Sequence, residues 1–283
     1  MTGLIYGMEG YFVNDKEQIV FGESNEKFDG TVVIVDIETT GLDCSKDKII
    51  EIAACKIRNK EIVEKFSSLV NLGIDIPKEI EELTGITNKM AAESPDIKTV
   101  LKQFIDFCED HTLVAHNAKF DMGFISKAVK ENGLSINPRY IDTLALARFL
   151  MPECRCHKLS VLCRELEIEN DSEHREASDA EATAKILVRF FAMLEEKGIS
   201  DVSRIDESND VPYYRGKRYH ITILAKNKIG LKNLYRLVSK SHTEHFWRRP
   251  NILRSELTKY GEGLLYGSAC LEGEIFEAVL EGK

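Results

Sequence analysis

Asp36 and Glu38 stand two residues apart in the text Val35-Asp-Ile-Glu-Thr-Thr-Gly41. At the end of a strand, positions i and i+2 project to the same face. Two carboxylates on one face repel each other strongly unless a cation lies between them. A solvated surface pair is the plain alternative, and the pair alone does not decide. The Thr-Thr-Gly41 turn that follows lets backbone come close to a ligand. Asp121 is a third acid, in Val114-Ala-His116-Asn117-Ala-Lys-Phe120-Asp121. Taken by itself it reads as an acid complementing a helix dipole. His116 and Asn117 in the same turn, and Phe120 with Phe124 as an apolar wall, favour a functional reading. Asp179 is the fourth, near the start of a long helix, with His174 five residues before it. Five residues advance a helix by about 500°. His174 therefore belongs to the preceding loop, reaching towards the same point from the side.

The elements that must position these groups alternate between strand and helix from 31 to about 197. Thr31–Asp36 is a strand whose Val32–Val35 run lacks polar alternation, as expected where both faces are covered. Ile49–Ile57 and Ile62–Val70 form an antiparallel hairpin around a polar turn. A short helix starts at Pro77 and stops at Gly85, and Ile97–Cys108 is an amphipathic helix. Thr112–Ala115 is a short buried strand, and Lys119–Glu131 a helix closed by Asn132-Gly133. Tyr140–Ile141 is a last strand, followed by helices at Thr143–Leu150 and Leu159–Leu166. In the 177–197 helix, Ala180, Ala184, Leu187, Phe191 and Leu194 form one stripe. The domain reading is 1–30, 31–197, a polar linker over 198–216, and 217–283. The last segment opens with a strand at Tyr219–Ala225 and a helix at Leu231–Ser239.

Apolar residues make 43% of the 283 and charged residues 30%, which excludes a disordered chain. No apolar run approaches the roughly 20 residues of a membrane span. No N-terminal segment has the pattern of a secretion signal. The seven cysteines read as reduced thiols, so a cytoplasmic protein without membrane contact is expected. The net charge of −9 is uneven: 211–283 carries 13 Lys/Arg against 7 Asp/Glu, and the remainder is acidic.

Asp36-Ile-Glu38-Thr-Thr-Gly, His116-Asn-Ala-Lys-Phe-Asp121 and His174-x-x-x-x-Asp179 resemble, in order, the three motifs of the DnaQ-like (DEDDh) 3′→5′ exonucleases. Asp142-Thr-Leu-Ala-Leu-Ala-Arg148 resembles a stretch these enzymes carry between the second and third motifs. The resemblance implies an α/β fold: a ribonuclease-H-like mixed sheet flanked by helices. It implies that Asp36, Glu38, Asp121 and Asp179 hold two Mg²⁺ or Mn²⁺ ions and that His174 takes the proton from the attacking water. Thr39, Gly41, His116, Asn117 and Phe120 would then face the substrate. Two such ions about 3.5–4 Å apart can hold the attacking and leaving oxygens of a phosphodiester. Hard cations take oxygen ligands, and histidine titrates near neutrality.

The flanks narrow this further. Leu4-Ile-Tyr-Gly-Met-Glu9-Gly-Tyr, Tyr219-His220-Ile-Thr-Ile-Leu-Ala and Leu265-Tyr-Gly-Ser-Ala-Cys270 resemble pieces of a polymerase-and-histidinol-phosphatase (PHP) domain. A PHP domain split by an inserted exonuclease is the layout of the PolC-type alpha subunit of bacterial DNA polymerase III. Glu9, His220 and Cys270 match metal-binding positions of PHP domains, for Zn²⁺ or Mn²⁺. The His-x-His and Asp-x-His segments that complete such a site are absent from this text, so the PHP pieces are expected to be incomplete. Implied partners are DNA 3′ ends, the remainder of the polymerase and a sliding clamp. An exoribonuclease of the same superfamily, or a replicase scaffold with little activity alone, are the alternatives.

Three further features invite other readings. Cys154-Arg-Cys156-His157 lacks a zinc-knuckle spacing, and Cys163 reads as a core position. Asp142 reads as holding a helix start. His245-Phe-Trp-Arg-Arg249 mixes aromatics with arginines, as single-strand binders do, or faces a partner or the interior.

Overall fold

The computed structural model describes all residues except 1–3, 16–17, 25, 138, 169–175, 207–212 and 281–283. Two compact units are present: 18–208, and 1–17 together with 209–283. Gly7–Val13 (β1) belongs to the second of these and is taken up below.

In the unit 18–208, the strands are β2 (Val20–Phe21), β3 (Val32–Thr39), β4 (Ile49–Arg58), β5 (Glu61–Leu69), β6 (Thr112–Ala115) and β7 (Tyr140–Asp142). They form one mixed sheet in the order β2-β7-β6-β3-β4-β5. β3, β4 and β5 are antiparallel neighbours, whereas β6 runs parallel to both β3 and β7. The β4–β5 turn is two residues, Asn59 and Lys60, both at positive φ, the geometry that suits the twist of a tight hairpin. The helices are α1 (Lys78–Thr84), α2 (Asn88–Ala92), α3 (Ile97–Cys108), α4 (Ala118–Glu131), α5 (Thr143–Leu150), α6 (Leu159–Glu165) and α7 (Glu176–Glu196).

The run Val32–Val35 divides between two cores. Val32 and Ile34 join the cluster containing Ala184, Leu187 and Phe191 of α7. Val33, Val35 and Ile37 join the cluster containing Phe104 of α3 and Ile125 of α4. Both faces of β3 are thus covered, which is why its text does not alternate. α3 starts at Asp96, whose carboxylate accepts from the N–H groups of Lys98 and Thr99. α7 is tied along the β4–β5 hairpin by Lys65–Glu181 at 2.6 Å and Lys60–Glu195 at 2.8 Å. Exposed pairs such as these contribute little stability; they join the hairpin to α7 near both of its ends.

The unit is larger than the 31–197 expected. Ile19 and Phe28 are buried in its core, and β2 pairs with β7. The stretch read as a linker from 198 supplies Ile199, Val202 and Ile205 to the same core. These short apolar positions sit among polar ones without periodicity, so their burial comes from tertiary packing. Phe28 stacks on Phe191 with ring centroids 4.4 Å apart. Phe191→Ala is expected to cost about 3–5 kcal/mol of this unit's stability in urea unfolding.

The second unit has a sheet in the order β11-β8-β1-β10-β9. Its further strands are β8 (Arg218–Ala225), β9 (Phe246–Trp247), β10 (Arg249–Leu253) and β11 (Leu264–Gly267). Its helices are α8 (Lys228–Thr243), α9 (Arg254–Lys259) and α10 (Glu274–Leu280). β1 pairs antiparallel with β8 along its length and parallel with β10, so the two ends of the chain share one sheet. Phe12, Ile223, Leu234, Leu237 and Ile252 form its core. Buried Asp15 accepts from the backbone N–H and hydroxyl of Ser255, closing the same union. Gly230 is required by close approach: a Cβ there would meet the Gly263 carbonyl oxygen at 1.9 Å.

Candidate functional site

The parallel pair β3–β6 sets the site. Ile34 lies beside Val114, so the two strands end on the same side of the sheet. Clefts beyond the C-terminal ends of parallel strands are where α/β sheets place ligands. Asp36 and Glu38 sit at that end of β3, opposite Ala53 and Glu51 of β4. Beyond Ala115 the chain turns through His116 and Asn117 into α4, whose first turn carries Asp121. Asp179 comes from the first turns of α7.

Asp121 is only 3% exposed. Burial pushes its carboxyl up to about 8, against hydrogen bonds from the backbone N–H groups of Asp121 itself and Ile37, while Asp142 and Glu38 repel it further. The Ile37 contact puts Asp121 beside β3 between Asp36 and Glu38. Asp36 is held well above the usual carboxylate range, first by burial and then by Asp121, Asp179, Glu38 and Glu51 in that order. None of these leading influences is a protein cation. Acids from β3, β4, α4 and α7 therefore act on one carboxylate. That set, all oxygen donors, fits a hard divalent cation such as Mg²⁺ or Mn²⁺. Among the described residues no three His, Cys, Asp or Glu side chains are gathered as a closed metal cage. The acids act on Asp36 through their charge without forming such a cage. His174 lies outside the described residues.

The supporting turn is built from backbone. Asn117 is exposed and has φ +69, in the left-handed region that asparagine tolerates better than most residues. Its N–H donates to Asp142 Oδ1 at 3.1 Å, and the same oxygen caps α5 through the Leu144 N–H at 2.9 Å. Asp142 thus holds a helix start and the turn together. His116 departs from the substrate-facing expectation. Its Nδ1 is 3.1 Å from Thr143 Oγ1 and its Nε2 is 2.9 Å from the His157 carbonyl, so both nitrogens are engaged within the protein. Burial lowers its pKa, keeping the ring neutral. Thr39 is buried and donates to the Gly41 carbonyl at 2.6 Å. A Cβ on Gly41 would meet Asp47 Oδ2 at 2.5 Å, so a side chain there would displace the Asp47 carboxylate from the Asp43 N–H. Phe120 is half-buried against Phe124, ring centroids 5.0 Å apart.

Glu51 was not singled out from the sequence. It is 7% exposed, faces Glu38 across the strands and accepts from Ser67 Oγ at 2.8 Å. The signal was present: an acid inside the apolar text Ile49-Ile50-Glu51-Ile52 must be paid for by a partner or a role. Glu51→Gln keeps an oxygen for Ser67 and removes repulsion from Asp36. In a chelator it should gain on the order of 1 kcal/mol, or roughly 2–4 °C in the thermal midpoint.

In the second unit, Glu9 and His220 share one sheet face, since Glu9 pairs with Thr222 and Tyr11 with His220. Both line a cavity of about 390 Å³. Cys270 Sγ is 3.0 Å from His220 Nδ1, and Glu272 Oε2 is 3.0 Å from His220 Nε2. The structure brings His220 and Cys270 together and adds Glu272, which the sequence did not single out. Cys163 is buried in the core as expected.

A sequence profile of the family described as "Exonuclease" matches residues 33–187, and one described as "PHP domain" matches 116–283. The overlap, 116–187, lies wholly in the unit 18–208. The acids at the end of β3 thus sit in a nuclease fold, and the chain belongs to the exonuclease family and carries PHP-domain sequence. DNA polymerase III PolC-type of Bacillus cereus is 44% identical over 282 residues, which are 98% of this chain and 20% of that protein. The PolC-type protein of Clostridium perfringens is also 44% identical, over 99% of this chain and 20% of its own. The chain spans about a fifth of the length of these relatives. Among solved structures, the nuclease domain of 3′hExo, a DEDDh family member bound to rAMP, superposes with a TM-score of 0.51 at 20% identity. It covers 60% of this chain and 94% of its own, and shows the shared fold. No described helix is long and apolar enough to cross a membrane.

Proposed function

We propose that this chain is a 3′→5′ exodeoxyribonuclease that removes mismatched nucleotides from primer ends, as the proofreading part of a PolC-type replicative polymerase. The observation that carries the proposal is the crowding of Asp121, Asp179, Glu38 and Glu51 upon Asp36 at the end of β3. Asp36, Glu38, Asp121 and Asp179 would hold two Mg²⁺ or Mn²⁺ ions, which supply positive charge to a phosphodiester and its departing oxygen. His174 would accept the proton of the attacking water, histidine being the side chain type that ordinarily titrates near neutrality. The exposed Asn117 and the half-buried Phe120 ring, together with the Thr39–Gly41 turn, would seat the terminal nucleotide. Stacking and sugar contacts of this kind carry little sequence preference.

DNA 3′ ends, the remainder of the polymerase and its sliding clamp are the proposed partners, in the cytoplasm. Glu9, His220 and Cys270 are the proposed donors of a Zn²⁺ or Mn²⁺ site in the PHP portion. The test is a 5′-labelled primer with a mismatched 3′ end and Mg²⁺. Stepwise shortening with release of nucleoside monophosphates is expected, and its loss in His174→Ala. Shortening from the 5′ end, or undiminished digestion by His174→Ala, overturns the reading. A strong preference for the matching RNA moves it to an exoribonuclease.

A further inference from the structure

The PHP portion carries an aromatic surface that the nuclease chemistry does not use. Trp247 and Phe246 lie on β9, which pairs with β10 at the edge of the sheet among the described residues. They are 47% and 53% exposed, and Tyr214 is 39% exposed. The rings form a ladder: His245 on Tyr213 at 5.5 Å, Tyr213 on Tyr214 at 5.9 Å, and Tyr214 on Trp247 at 5.5 Å. Large aromatic faces left in water are costly unless something covers them. The cations beside them suggest what. Arg248, in the turn between β9 and β10, is exposed and sits at φ +61, a conformation that arginine rarely adopts. Strain of this kind gathers at functional positions. Arg249 follows, its guanidinium 4.2 Å above the Tyr11 ring. Two acids of this unit, Glu244 and Glu256, are paired with Lys240, at 2.5 Å and 3.2 Å. Residues 211–283 carry 13 Lys/Arg against 7 Asp/Glu in an otherwise acidic chain.

We propose that Tyr214 and Trp247, with Arg248 and Arg249, form a second binding surface for single-stranded nucleic acid, separate from the nuclease centre. Bases stack on the exposed rings while the arginines meet the phosphates. Any base has a π face, so the surface reads strandedness rather than sequence. A duplex, with its bases already stacked, has none to offer.

Trp247 is the sole tryptophan, so its fluorescence reports this surface alone. The full chain is titrated, in a chelator that prevents digestion, with a thymidine oligonucleotide of about 16 residues, the matching uridine oligomer and a blunt duplex. Saturable quenching by both single strands and little by the duplex is expected. Tyr214→Ala should weaken binding about tenfold by loss of one stacking partner. Arg248→Glu should lower the slope of log K against log salt by at least about 0.7. Preference for only one of the two sugars names the natural strand and keeps the site. Asp36→Ala, which disables the nuclease centre, should leave the quenching intact, so this proposal and the nuclease reading fail separately. Absence of quenching by either strand, equal quenching by duplex, or constants unmoved in both Tyr214→Ala and Arg248→Glu overturns the proposal and leaves the rings to a protein partner.

Discussion

Asp36→Asn is expected to slow digestion of a mismatched 3′ end at least about 10³-fold, a loss of several kcal/mol of transition-state stabilisation. The folded chain should become more stable at the same time. Asp36 is where the site concentrates its charge: burial and four further acids hold its proton on, in the absence of a cation. Asparagine keeps the shape and removes one charge from that set. Each of the remaining acids is then easier to bury, while the centre loses the carboxylate on which acids of β4, α4 and α7 bear. Asp142→Ala supplies the contrast. Asp142 caps α5 and holds the Asn117 turn, so its loss should lower activity and stability together, by about 1 kcal/mol for the cap. Primer digestion and thermal unfolding of both variants separate the two roles. Full activity of Asp36→Asn, or a loss of activity explained by a lower thermal midpoint, would sink the assignment.

The contrast also marks what the text of the chain discloses. Asp36 and Glu38 were legible because a strand period of two fixes which side chains share a face. Val32–Val35 marked a strand with both faces covered, and the structure places its alternate residues in two cores. The α7 stripe was equally plain, because a period of 3.6 kept over about four turns is hard to produce by chance. Glu51 was hidden for the converse reason. Its importance comes from a cross-strand neighbour, Glu38, and register is a pairing property that one strand's text does not display. The contacts of His116 were hidden because a ring in a turn beside an acid looks available. Its partners, Thr143 and the His157 carbonyl, are 27 and 41 residues away. The reach of the unit was hidden for a similar reason. Phe28 and Ile199 are lone apolar residues in polar surroundings, and only the packing of α7 shows that they are core. In the PHP portion, Glu9 and His220 share a face because β1 and β8 pair across two hundred residues, a union that no local pattern announces.

The same electrostatics yield a second large effect, on stability rather than rate. In a chelator, the unit containing the nuclease site should be less stable at pH 8 than at pH 6.5. Asp121 titrates at about 8 in the folded chain and near 3.9 when unfolded. Between those values the folded chain keeps a proton that the unfolded chain has lost, so stability falls as pH rises through that window. Asp36, also raised, acts with the same sign. His116 opposes below its unfolded pKa, because burial keeps it neutral while the unfolded ring charges, and this sets the lower limit at about 6.5. Asp43, Asp96 and Asp201 are lowered by hydrogen bonds and lose stabilisation only on acidification below the window. Over 1.5 pH units one such group costs roughly 2 kcal/mol, or about 4–8 °C in thermal midpoint for a unit of this size. Asp121→Asn should remove most of the slope. Mn²⁺ should flatten it as well, because a cation that binds the deprotonated acids stabilises the folded chain most where they are charged. A midpoint that stays level or rises from pH 6.5 to 8 in chelator would show that these acids do not repel one another in the folded chain. A slope untouched by Mn²⁺ would show that they do not share a cation.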